Sequence, residues 1–120
     1  MNLPLVQISN GELLDKITIL QIKSEKTDNQ YVHKELNDLI LIAKEKNIYD
    51  ESYLNDLAKV NQKLWVIEDR LRELEKVKKF DDEFVKFARE VYITNDKRAE
   101  IKRKINQETN SDYQEVKLYS

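Results

Sequence analysis

The sequence has no cysteine, which excludes disulfides and thiolate metal sites and suits a reducing compartment. One glycine and one proline in 120 residues leave too little turn material for a strand-rich fold with many hairpins. The single histidine, His33, stands beside Lys34 with no recognisable nucleophile partner and reads as a surface residue rather than a catalytic base. Without a Glu-x-x-His pair a metal cluster would have to be all carboxylate, and without a glycine-rich phosphate loop no nucleotide motif is present, so neither metal nor cofactor is expected. No apolar run approaches the roughly 20 residues that span a bilayer. The N-terminus also lacks the basic region and apolar run of a secretory signal, which makes the cytoplasm the expected location and a membrane no partner. Charge of one sign is missing too: 21 Lys and Arg against 23 Asp and Glu give a net charge of −2. Such a chain has no global field to hold nucleic acid.

What is present is charge in both signs (37%) and hydrophobic residues (40%), arranged at helical spacing. Ser9 and Glu12 form a capping box, so a helix is expected to begin at about Asn10. Leu13, Leu14, Ile17 and Leu20 fall on one face of it and Ile19 and Ile22 on another, while Glu12 and Lys16 can pair at i, i+4. Thr27, Asp28 and Asn29 offer the next cap, followed by Val32, Leu36, Leu39, Ile40 and Ala43. After a connection from Asn47 to Glu51, with Asp50 or Ser52 as cap, a long seam runs through Leu57, Val60, Leu64, Ile67, Leu71 and Leu74. A break between Val77 and Asp82 precedes the last seam, Phe84, Phe87, Val91, Ile101 and Ile105, which either continues to about Glu108 or pauses near Thr94. The expectation is one all-α domain over residues 1–120, an antiparallel helical bundle or long helical hairpins with short extended termini. The two longest helices should pair, and their seams suggest a homodimer. Leu3 to Ile8 reads as an extended arm that must dock. Val116 and Leu118 alternate with Glu115, Lys117 and Tyr119, so the two ends could pair as a ribbon.

Several polar residues fall where helical projection expects apolar ones. Asp15 lies between Ile19 and Ile22 in angle, so its carboxylate belongs inside a contact and needs partners. Asn61 and Glu68 project near the third seam on the side that holds Trp65. Asn95, Arg98 and Lys102 interrupt the last seam. One reading is structural: Asp15 or Glu68 pairs with Arg98 and fixes helix register. The other is a site in which Arg98, helped by Lys16, Lys97 or Lys102, binds a carboxylate or phosphate in two-point geometry. Trp65 and Tyr92 suit a core as well as a stacking surface.

Ile8 to Lys26 and Tyr92 to Asn106, together with Leu64, Trp65, Ile67, Glu68 and Asp69, resemble a family of short bacterial and phage proteins of unknown function. The resemblance implies a small autonomous protein and assigns no catalytic residue. The leading functional expectation is therefore non-enzymatic binding or sequestration of a small anionic metabolite, a nucleotide or nucleotide-sugar among the candidates, in a polar pocket between helices. An adaptor that binds another protein through its helical seam comes second. A small enzyme using Asp15 and Glu68 as acid and base comes third.

Overall fold

The computed structural model describes residues 3–118 and folds them into four helices, α1 Asn10–Ser24, α2 Gln30–Glu45, α3 Glu51–Lys76 and α4 Asp82–Glu108. The fold is all-α, with the helices packed in the manner of a bundle. Each helix begins on a side-chain oxygen, from Ser9, Asn29, Asp50 and Asp81 in turn, that accepts a first-turn N–H, which removes orphan donors from the ends. The capping box is only half formed: Ser9 Oγ accepts from Glu12 N at 3.1 Å, while the Glu12 carboxylate turns to Lys102 Nζ at 2.7 Å.

A chain with one glycine must end its helices by other means. The left-handed residue that closes α2, α3 and α4 is Asn47, Lys78 and Asn110, at φ 59°, 56° and 54°. In each case the following N–H reaches back to the last turn, from Ile48 to Ala43 O, Lys79 to Leu74 O and Ser111 to Asn106 O, at 3.0, 2.9 and 2.8 Å. These are the long-range bonds of the Schellman motif, which satisfies the carbonyls a helix end leaves bare.

The two longest helices pair as an antiparallel hairpin. Tyr53 and Glu108 tie it at one end and Arg70 and Glu83 tie it toward the other. Helix α1 lies against both arms and against α2, with Leu14, Ile17, Leu57 and Ile105 fully buried at the centre of one apolar cluster. At 1.5 Å per residue α3 is roughly 39 Å long and α1 roughly 22 Å, so the hairpin outruns its cover. The radius of gyration, 16.2 Å, accordingly exceeds the roughly 13.6 Å expected for a compact domain of this length. Beyond α1 the hairpin is held by Ile67 and Leu74 and by an edge-on contact of Phe80 with Phe84 at 5.1 Å. Val77, Phe80 and Val85 stay exposed there. Helix α4 is continuous through Thr94, which is buried inside it.

The ends behave differently from expectation. Leu3, Leu5 and Val6 remain exposed rather than docked, and no strand forms among the described residues. Pro4 supplies no N–H to a ladder, and the two ends meet instead through side chains, Tyr113 Oη donating to Gln7 Oε1 at 3.2 Å and Asn10 N to Ser111 Oγ at 3.1 Å. Tyr119, the last residue of the expected alternation, lies outside the described residues.

The Tyr53 tie predicts a pH signature. Its hydroxyl donates to Glu108 Oε1 at 2.6 Å, and that bond, with burial as the smaller cause, pushes the phenol up to about 12. An unfolded tyrosine ionises near pH 10, so the folded chain holds this proton more tightly. The stability gained is complete below about pH 10 and is lost as pH rises through the folded value. In a tyrosinate absorbance titration one of the six tyrosines should ionise last. Tyr53→Phe should delete that step and flatten the corresponding loss of stability.

Candidate functional site

Asp15 is fully buried on α1, so its charge has to be met by donors from the helices around it. Arg98 on α4 meets it in two-point fashion, Nε donating to Oδ1 at 2.9 Å and Nη2 to Oδ2. Asn61 on α3 donates one amide hydrogen to Asp15 Oδ1 at 2.9 Å and the other to Thr18 Oγ1 at 2.8 Å. Thr18, itself fully buried, spends its proton on the Asp15 carbonyl at 2.8 Å. Chemistry fixes the Asn61 orientation, because a carboxylate and a hydroxyl that has already donated both need a donor opposite them. The network joins α1, α3 and α4 at one level and locks the guanidinium plane. The bond to Asp15 raises the Arg98 pKa against the opposing effect of burial, so the cation is permanent.

Arg98 is engaged from behind and open in front. Its side chain keeps 27% of its exposure, and Nη1, which Asp15 does not use, has Asn95 Oδ1 at 3.5 Å, the outer limit of a hydrogen bond. In front of it lies an open groove of about 280 Å³, lined by Val91, Tyr92, Asn95, Arg98, Ala99 and Lys102 of α4 and by Glu115 and Lys117 of the C-terminal segment. One turn beyond Arg98, Lys102 is nearly buried and pairs with Glu12 at 2.7 Å and Glu115 at 3.4 Å. Lys117 approaches Asp96 at 3.6 Å. The groove is thus a cationic floor with its own carboxylates around it.

Of the residues singled out from sequence, Asp15, Asn61, Asn95, Arg98 and Lys102 come together. The others do not. Lys16 is exposed and sits 3.8 Å from Glu12. Trp65 is one turn past Asn61, half-buried, with Lys26 Nζ 5.2 Å from its ring centre. Glu68 is exposed, two turns or roughly 10.5 Å along α3 from Asn61, so Asp15 and Glu68 do not form a carboxylate pair. Projection put Glu68 near the seam, but α1 is too short to cover that part of α3. Among the described residues no group of three or more His, Asp or Glu could hold a metal ion, and no helix is long and apolar enough to cross a membrane.

Sequence reasoning missed four participants. Thr18 lies three residues after Asp15, one turn along the same face, and that spacing could have marked it. Glu12 keeps the expected pair with Lys16 at 3.8 Å, but its closer partner is Lys102 of α4 at 2.7 Å, which its place in the first turn does not signal. Glu115 and Lys117 had no signal beyond their alternation, because an irregular segment carries no periodicity that says where it returns.

The model of a family of unknown function (DUF6165) matches residues 4–120. No curated protein and no solved structure matches the chain.

Proposed function

Since the chain belongs to that family, whose function is unknown, we propose from the geometry that the groove beside Arg98 binds the anionic group of a small metabolite without transforming it. One observation carries the reading. Arg98 is held through Nε and Nη2 by a buried carboxylate, which leaves the Nη1 edge turned away from Asp15. A guanidinium fixed in this way loses little further freedom on meeting a carboxylate or phosphate, so its two-point geometry is available at low entropic cost. Lys102 lines the same groove and supplies a second cation.

The size of the groove narrows the ligand. About 280 Å³ falls just below the range of roughly 300–1,000 Å³ typical of small-molecule sites. That suits an anionic head with at most one ring, for which the exposed face of Tyr92 offers a flat contact. A nucleotide-sugar would extend past the lining residues. Acid–base catalysis is the weaker reading, because both oxygens of Asp15 are committed to Arg98 and Asn61 and, among the described residues, Glu68 stands apart from it rather than forming the carboxylate pair such chemistry needs.

Arg98→Lys tests the proposal while keeping a cation opposite Asp15. In calorimetric titrations with inorganic phosphate and with phenyl phosphate at low salt, the substitution should weaken binding at least about tenfold, or 1.4 kcal/mol. Added salt should weaken binding to the parent chain as well. Affinity that is equal in the parent and in Arg98→Lys removes Arg98 from the site.

A further inference from the structure

We propose that Glu115 is the groove's resident anion: the C-terminal segment holds a carboxylate where the ligand's charged group binds, so ligand entry and release of that segment are one exchange. This rests on the anion-binding reading and adds its regulation. The segment leaves α4 at Asn110, whose left-handed backbone (φ 54°) turns the chain back. Its root is pinned by Ser111, which accepts from Asn10 N at 3.1 Å and donates its own N–H to Asn106 O at 2.8 Å. From there it returns along α4 without regular structure, Glu115 reaching Lys102 and Lys117 reaching Asp96, six residues farther back. Two residues apart in an extended chain point the same way, so both charges face α4 while Val116 and Leu118 stay exposed at 72% and 95%.

The segment therefore docks through polar contacts, with Val116 and Leu118 contributing no apolar anchor. The Lys117 to Asp96 pair is partly exposed and adds little stability, and Glu115 shares Lys102 with the closer Glu12, so the strap is weakly held. Lys102 shows which contact yields. Its pair with Glu12, at 2.7 Å, ties α1 to α4, whereas Glu115 stands at 3.4 Å on the irregular segment that follows the Asn110 turn.

Charge decides between adding an anion and exchanging one. Arg98, Lys102, Lys117 and Lys16 meet four carboxylates, Asp15, Glu12, Glu115 and Asp96, so these pairs balance. An anion entering beside Glu115 would add a negative charge that none of these cations offsets. An anion that replaces Glu115 on Lys102 leaves the balance unchanged and places a second oxygen toward the Nη1 edge of Arg98. The chemistry this selects is a compact head with two or more equivalent oxygens, as in a carboxylate or a phosphate.

Removing the competitor should raise affinity. A segment closed about nine-tenths of the time weakens apparent binding about tenfold. Full-length protein and its Glu115→Gln variant, titrated with inorganic phosphate and separately with acetate, should differ by about that factor in favour of the variant. In the parent chain, phosphate should also speed amide hydrogen exchange at residues 113–118. Equal affinities, with binding still weakened in Arg98→Lys, overturn the exchange and leave the anion site standing. Weaker binding to Glu115→Gln overturns it too. Absence of binding to both proteins overturns the exchange together with the reading beneath it.

Discussion

Asp15→Ala should destabilise the protein by about 3–5 kcal/mol, the range measured when one partner of a buried ion pair is removed. The carboxylate is fully buried and is the acceptor for Arg98 Nε and Nη2 and for one Asn61 hydrogen. Without it a permanent cation loses its hydrogen-bonded counter-charge between α1, α3 and α4, and Asn61 keeps only Thr18. A domain of this kind has roughly 5–15 kcal/mol of stability in all, so the loss is a large share of it. In urea unfolding the midpoint should fall with the slope unchanged. Combining Asp15→Ala with Arg98→Ala should cost much less than the sum of the two, because the second substitution removes the stranded charge. A loss below about 1 kcal/mol would put the pair in the class of surface salt bridges.

Gly11→Ala should cost about 2 kcal/mol although it exchanges the weaker helix former for the best one. A Cβ at this position would lie 2.6 Å from Lys102 O, 2.9 Å from Asn106 Oδ1 and 3.0 Å from Lys102 Cα. Two of those atoms are backbone of α4 and cannot rotate away, so α1 itself must shift. The shift would stretch the bond from Gly11 N to Asn106 Oδ1, now 2.7 Å, and the Glu12 to Lys102 pair beside it. Overpacking costs typically 1–3 kcal/mol, with the upper part of the range fitting a backbone clash, and it exceeds the helix-propensity gain of about 1 kcal/mol. The melting temperature should drop by roughly 8 °C. An unchanged or raised melting temperature would mean that α1 and α4 can separate at this crossing without penalty.

Much of this arrangement was legible in the sequence, for a reason specific to helices: a charged side chain at an apolar angle has to be explained. That reasoning brought Asp15, Asn61, Asn95, Arg98 and Lys102 to one place. It failed for Trp65 and Glu68 because angle says which side of a helix a residue occupies but not how far along it a neighbour reaches. The one glycine was a usable clue, since glycine in the first turn of α1 marks a close backbone approach, and it points straight at α4. The ends were least legible. Period-two alternation suggested a ribbon, but Glu115 and Lys117 found charged partners on α4, and Leu3, Leu5 and Val6 found no cover.

The central claim is that a guanidinium locked by a buried carboxylate forms an anion site with Lys102 and the returning C-terminal segment. Titration of isotope-labelled full-length protein with inorganic phosphate, followed by NMR of backbone amides and of the Arg98 side-chain N–H groups, tests it most directly. Saturable shifts are expected at Arg98 and across residues 91–102 and 111–118, with α2 and the Phe80 end of the hairpin undisturbed. Saturable shifts centred anywhere else, or none at Arg98 as phosphate approaches saturation, would contradict it.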